Sequence, residues 1–231
     1  MQLIKGDSLQ ILRDLPSSSV DAVITDPPYA SGAASSSAKK ASTGSKYTTK
    51  GAINPFLDFE GDCRDQRSLL QWSSLWLAEC YRVAKPNAHL LCFIDWRNYP
   101  VFADAIQVGG WIWRGGLVWD KKNARPRKDG FSQQCEFVLW ATKGSVKVGD
   151  NPLYHNGVYQ CHPHKGGRFH QTSKPVDVME WLCNVVPKNG TVLDPFMGSG
   201  STGVACNNLG LDFIGIEMTD YFDIAKQRLA A

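Results

Sequence analysis

Apolar positions along this chain repeat with two alternating periods. QLIKGD (2–7) predicts a short strand ending at Gly6-Asp7, and residues 8–15 predict a helix with Leu9, Leu12 and Leu15 toward one face. VDAVITD (20–26) is a mostly apolar run of strand length, the kind covered on both sides in a parallel sheet. RSLLQWSSLWLAECYRVAKP (67–86) predicts a helix with Leu69, Trp72, Trp76, Cys80 and Val83 on one face, stopped by Lys85-Pro86-Asn87. AHLLCFID (88–95) predicts a strand, and Tyr99 to Val108 a helix closed by Gly109-Gly110. WIWRGGLVWD and CEFVLWAT predict two strands flanking KKNARPRKDGFSQQ. PVDVMEWLCNVV (175–186) predicts a helix opened by proline. GTVLDPF, STGVACNNLG and LDFIGIE predict strand, helix and strand, with a last helix from Asp220. Residues 143–173 carry no clear period, and no internal repeat is visible. This alternation predicts an α/β fold with a mostly parallel sheet.

One stretch breaks the pattern. Ala30 to Asn54 is rich in Ser, Ala, Gly, Lys and Thr, with almost nothing to bury. So long a loop is expected to be mobile alone and ordered by a partner. We delimit it as 30–56, within a single domain spanning 1–231.

Composition adds little until charge is located. The net charge is +3, with 43% hydrophobic and 20% charged residues, ordinary for a globular chain. From Ala30 to Leu57 there are four lysines (Lys39, Lys40, Lys46, Lys50) and no acid. From Lys121 to Lys128 there are five basic residues and no acid. Two basic clusters on a nearly neutral body point to a local polyanion-binding surface; the bland alternative is solvated loops. No apolar run is long enough to span a membrane, and MQLIKGDSLQ lacks the apolar core of a secretory signal. The chain is therefore expected in the cytoplasm, away from membranes. Seven cysteines without a CxxC pair fit buried, reduced thiols there, Cys92, Cys183 and Cys206 among them.

Two strand ends carry chemistry. TDPPY (25–29) closes the VDAVI run with an acid, two prolines and an aromatic ring. LDPFMGSGSTG (193–203) joins a strand to a helix, where Gly198 and Gly200 let backbone approach a ligand and the helix end presents free N–H groups. Glu217 ends the next strand, 23 residues after Asp194, where a carboxylate can accept hydrogen bonds from both hydroxyls of a ribose. Residues 198–203 spell G-x-G-x-x-G, but this unit closes the chain, which disfavours a nicotinamide dehydrogenase.

DPPY and DPFMGSG, in that order, resemble the S-adenosylmethionine-dependent amino-methyltransferases of DNA, β group. GDSLQILRDLP, RVAKPNAHLLCF, LVWDKKN, EFVLWATKG and HQTSKP resemble further family segments in the family's order. The resemblance implies a Rossmann-like class I methyltransferase fold, circularly permuted, with a mostly parallel seven-stranded sheet and inserted DNA-recognition loops. It implies adenine N6 methylation of double-stranded DNA. An extruded base would give one amine hydrogen to Asp26 and the other to the Pro27 carbonyl, with Pro28 stiffening the turn and Tyr29 stacking on the ring. S-adenosylmethionine would be held by Asp7, Thr172, Lys174, Asp194, Pro195, Phe196, Gly198, Ser199, Gly200, Ser201, Thr202 and Glu217. Of these, Thr172 and Lys174 would lie near its methionine carboxylate.

DNA contacts are expected from the loop 30–56 and a target-recognition region at 121–170. The candidates are Lys39, Lys40, Lys46, Lys50, Lys122, Arg125, Arg127, Lys128 and Gln133, with Gln134 beside them. Family members often form homodimers, which nothing in the sequence shows, and no residue speaks for or against a restriction endonuclease partner. Rival readings are cytosine N4 methylation, where family members usually carry Ser in place of Asp26, methylation of RNA amines, and an inactive DNA-binding protein. Cys161 among four histidines between 155 and 170 raises a zinc site, but C-H-x-H is not a standard ligand spacing, and we expect no metal.

Overall fold

The computed structural model describes residues 1–29, 64–124, 126, 128–146, 154–163 and 173–230. The loop 30–56, Arg125, Arg127, Thr172, His164 and His170 lie outside the described residues.

Among the described residues, eight strands form one sheet: β1 (Gln2–Lys5), β2 (Val20–Thr25), β3 (Ala84–Ile94), β4 (Ile112–Asp120), β5 (Cys135–Thr142), β6 (Val158–Gln160), β7 (Thr191–Asp194) and β8 (Asp212–Glu217). Their order across the sheet is β1-β8-β7-β2-β3-β5-β4-β6. Pairing is parallel except where β5 runs against β3 and β4. The expected seven strands thus become eight. The addition is β6, three residues in a region without period, held beside β4.

Among the described residues, six helices cover the sheet: α1 (Ser8–Asp14), α2 (Gln66–Val83), α3 (Tyr99–Val108), α4 (Val176–Cys183), α5 (Ser201–Leu209) and α6 (Tyr221–Ala230). Side-chain alternation in the strands sorts them into two layers. Val23, Leu90, Cys92 and Ile94 pack with Leu12 of α1, Leu69, Trp76 and Leu77 of α2, and Phe102 of α3. Ala22, Ile24, Leu91, Phe93 and Val192 pack on the other face with Val178 of α4, Ala205 of α5 and Ala225 of α6. Fully burying each Leu, Val or Phe contributes roughly 1.5–3 kcal/mol.

Local chemistry sets the helix ends. Asp7 caps α1 by accepting from Leu9 N at 2.9 Å, and Asp65 caps α2 by accepting from Arg67 N and Ser68 N. Helix α2 stops at Val83, earlier than Lys85-Pro86-Asn87, because the chain is already extended at Ala84. Those three residues belong to β3, as an irregularity where the register with β2 jumps from Val20↔Ala84 to Ala22↔His89. Lys143 Nζ donates to the Tyr81 and Ala84 carbonyls at 2.6 and 2.8 Å, satisfying the end of α2. Helix α4 is likewise shorter than 175–186, ending at Cys183.

Of the tryptophans expected in the core, Trp76 and Trp111 are buried and Trp72 and Trp181 half-buried. Trp113 is 41% exposed because β4 is open on both faces from Ile112 to Arg114, and its ring meets only the edge of Tyr99 at 6.3 Å among the described ring contacts. Cys92, Cys183 and Cys206 are buried free thiols. Among the described residues no helix is long and apolar enough to cross a membrane.

Candidate functional site

The helix following β2 lies on one face of the sheet and the helix following β7 on the other. These adjacent strands run parallel, but β2 leads to β3 on one side and β7 to β8 on the other, and this switch of winding opens a crevice beyond their carboxyl ends. A cavity of about 270 Å³ occupies that place. Its wall brings together Asp7, Asp26, Pro27, Pro28, Tyr29, Lys174, Asp194, Pro195, Phe196, Gly198, Ser199, Ser201, Thr202 and Glu217. The two strand ends that carry the sequence signals therefore meet, though 168 residues separate Asp26 from Asp194. Gly200 is not on the wall; it precedes α5 at φ +83 and turns the chain into the helix.

The β7 end is held tightly. Asp194 Oδ1 accepts from Thr25 Oγ1 at 2.7 Å and Phe196 N at 3.1 Å, and Oδ2 accepts from Thr202 Oγ1 at 2.5 Å. Burial nevertheless dominates and pushes the Asp194 carboxyl up to about 6. Gly198 adopts φ +49, a left-handed turn that suits glycine, and its N–H donates to Glu217 Oε2 at 2.9 Å. Glu217 Oε1 accepts from Thr219 N and Thr219 Oγ1, so the tips of β7 and β8 are fastened to each other. Oε2 keeps a lone pair for a ligand hydroxyl.

The third glycine of the G-x-G-x-x-G string has a packing role. A Cβ on Gly203 would lie 2.8 Å from Leu229 Cδ1 and 2.9 Å from Phe213 Cε1, so α5 approaches β8 and α6 closely.

The β2 end has its own supports. Asn98 Nδ2 donates to the Tyr29 carbonyl at 2.7 Å, anchoring the DPPY turn to the start of α3. Lys174 is 6% exposed, and its Nζ donates to Asp26 Oδ2 and lies 3.5 Å from Glu136 Oε2 and 4.8 Å from the Phe93 ring centre. Burial opposes the ammonium, but Asp26 and Glu136 outweigh it and raise the Lys174 pKa above the ordinary lysine value. Phe196 packs against Trp76 (5.1 Å) and Trp72 (5.5 Å), and the Arg64 guanidinium lies 4.1 Å from the Trp72 ring centre.

Several wall and support residues escaped the sequence reading. Ser8 donates to the Pro195 carbonyl, tying α1 to the glycine loop. Thr25, Asn98, Glu136, Arg64 and Tyr221 join it. Thr25 adjoins the DPPY string, Ser8 follows Asp7 in GDSLQILRDLP and Glu136 opens EFVLWATKG, whereas Asn98, Arg64 and Tyr221 had no nearby signal.

The basic loop emerges beside this cavity. Phe137 pairs with Ile94 and Cys135 with Asp120, so residues 121–134 leave the sheet on the side of the Asp26 tip. Lys122, Lys128 and Gln133 are exposed there, while Gln134 is tied to Asp120 Oδ1 at 3.0 Å. Among the described residues no cluster of three or more His, Cys, Asp or Glu could hold a metal ion.

The chain is similar to known proteins along most of its length. The family model described as DNA methylase matches residues 20–227. The chain is 30% identical over 233 residues to YubD of Escherichia coli (strain K12), covering 100% of this chain and 90% of that one. It is 27% identical over 252 residues to the type II methyltransferase M.HinfI of Haemophilus influenzae, covering 98% and 67%. Among solved structures, the M1.HpyAVI–SAM complex superposes with a TM-score of 0.67 at 27% identity, covering 100% and 99%. The PvuII DNA methyltransferase, cytosine-N4-specific, shares the fold with a TM-score of 0.71 at 16% identity over 98% and 85%.

Proposed function

Because this chain belongs to the DNA methylase family, we propose that it transfers a methyl group from S-adenosylmethionine to N6 of adenine in double-stranded DNA. One observation carries the reading: the DPPY turn and the glycine loop wall a single cavity. The cavity fits the cofactor. Asp7, Asp26, Asp194 and Glu217 give it an acidic wall suited to a sulfonium, Glu217 Oε2 can accept a ribose hydroxyl, and Phe196 offers an apolar side. When bound there, S-adenosylmethionine supplies the electrophilic methyl.

The protein's residues then supply position and charge. Adenine inside a duplex hides its amine, so the base turns out into the cavity. The amine lone pair is delocalised into the ring and is a poor nucleophile. Asp26 accepts one N–H and the Pro27 carbonyl the other, which favours a more tetrahedral nitrogen with its lone pair aimed at the methyl. Tyr29, held by Asn98, stacks on the base for ~1–3 kcal/mol. Positive charge grows on the amine as the methyl arrives, and a carboxylate beside it stabilises the transition state more than the ground state. No covalent intermediate is needed; alignment does most of the catalysis.

Adenine rather than cytosine is favoured by Asp at position 26, a stronger acceptor than the Ser that N4 enzymes usually carry. Lys122, Lys128 and Gln133 beside the cavity mouth are assigned to DNA contact. Nucleoside mass spectrometry after incubation with S-adenosylmethionine and unmethylated genomic DNA tests the reading. N6-methyladenine is expected, lost in Asp26→Ala. N4-methylcytosine, or methyl transfer to RNA alone, would refute it.

A further inference from the structure

Glu136, at the start of β5, does not line the cavity, yet it sits within reach of a residue that does. We propose that Glu136 is a positioning residue for methyl transfer: acting through Lys174, it leaves Asp26 a net negative charge to offer the amine. This rests on the reading of Asp26 given above.

The geometry is an alternating row of charges running outward from the cavity. Asp26 comes first, then Lys174, then Glu136 at 3.5 Å, then Lys121, whose Nζ is 3.1 Å from Glu136 Oε1. Lys174 cannot turn away to water, because its side chain is 6% exposed and its ammonium lies over Phe93. A buried Asp26–Lys174 pair taken alone is neutral. It would cancel the charge that the amine needs as it becomes cationic, and it would occupy Asp26 Oδ2 with the strongest donor in the cavity. Glu136 divides the ammonium between two carboxylates. The inner three groups then sum to one negative charge, placed where the amine arrives. Lys121 balances Glu136 from the other side; its side chain is 23% exposed against 6% for Lys174, so its charge is more screened by water than that of the Lys174 ammonium. Among the described residues, Asp194 on β7 and the Cys92 thiol on β3 also feel the charge of Asp26, and burial, helped by that charge, keeps the Cys92 thiol neutral.

Steady-state transfer from tritiated S-adenosylmethionine to unmethylated genomic DNA by the full chain tests this. Glu136→Gln should lower kcat by roughly 10–100-fold and leave the KM for S-adenosylmethionine within about threefold. Added to Lys174→Met, the same substitution should change kcat by less than about twofold, since nothing remains for Glu136 to act through. Glu136→Asp keeps the charge and should recover most of the lost kcat, which a packing role would not predict. Three results would overturn the proposal: an unchanged kcat in Glu136→Gln, a full further loss on top of Lys174→Met, or a loss in Glu136→Asp as deep as in Glu136→Gln. Should Glu136→Gln fail to fold, Glu136→Asp compared with the wild type decides alone: a kcat within about threefold of wild type supports the relay, and a loss beyond about tenfold removes it. Full transfer by Asp26→Ala would instead remove the underlying site reading. An inactive Asp26→Ala beside a fully active Glu136→Gln removes only the relay.

Discussion

Asp194 illustrates how single residues pay for the site in stability. Its carboxyl is buried, and three donors do not fully offset the loss of water, so it titrates near 6 against an ordinary 3.8. The native protein therefore binds this proton more tightly than the unfolded chain. The associated stability is fully present below pH 3.8 and is lost as pH rises through 6, on the order of 3 kcal/mol. Melting temperatures of wild type and Asp194→Asn between pH 4 and 8 should show the wild type losing ground as pH rises; a constant difference would contradict this. Asn98 acts at the same scale. Removing its bond to the Tyr29 carbonyl with Asn98→Ala should cost about 1 kcal/mol in urea denaturation and slow transfer by loosening the base platform.

Helix α5 shows what an element requires of its glycines. Gly203 is limited by space and Gly210 by backbone conformation: a Cβ on Gly203 meets Leu229 and Phe213 below 3.0 Å, whereas Gly210 adopts φ +65 with nothing within 4 Å. Gly203→Ala should therefore cost ~1–3 kcal/mol through overpacking. Gly210→Asn, at a left-handed cap that Asn tolerates, should cost under about 1 kcal/mol, and chemical denaturation of both variants measures the contrast. Elements of this kind were legible in the sequence because hydrophobic period and cap residues are local. α3, β5 and the core of α5 follow the pattern closely. The reading failed where tertiary contact overrode it. β6 is too short to carry a period, and Lys85-Pro86-Asn87 reads as a helix stop but serves as a strand irregularity joined to Lys143. In the site, DPPY and the glycine loop were visible as strings; Ser8 and Glu136 sit in segments the resemblance covers, but their roles, like that of Asn98, rest on a partner far along the chain that no local pattern shows.

Across the whole molecule, the parallel strands build the cavity and the antiparallel β4–β5 pair carries the basic loop to its edge. If that loop holds the DNA backbone, affinity for duplex DNA should fall on the order of 10²-fold between 50 and 200 mM salt, as fluorescence anisotropy would show. An affinity indifferent to salt would take the loop out of the interface.

The β4–β5 ladder runs without interruption from Gly115↔Trp140 to Asp120↔Cys135, and Lys121 N closes it on the Gln134 carbonyl at 3.0 Å. Strand alignment is thus fixed below the tip, and residues 122–133 are not needed to set it. Another stretch grafted between Lys121 and Gln134 should therefore leave the sheet and the cavity floor in place, so that, if the tip touches DNA as proposed, duplex preference is separable from the chemistry.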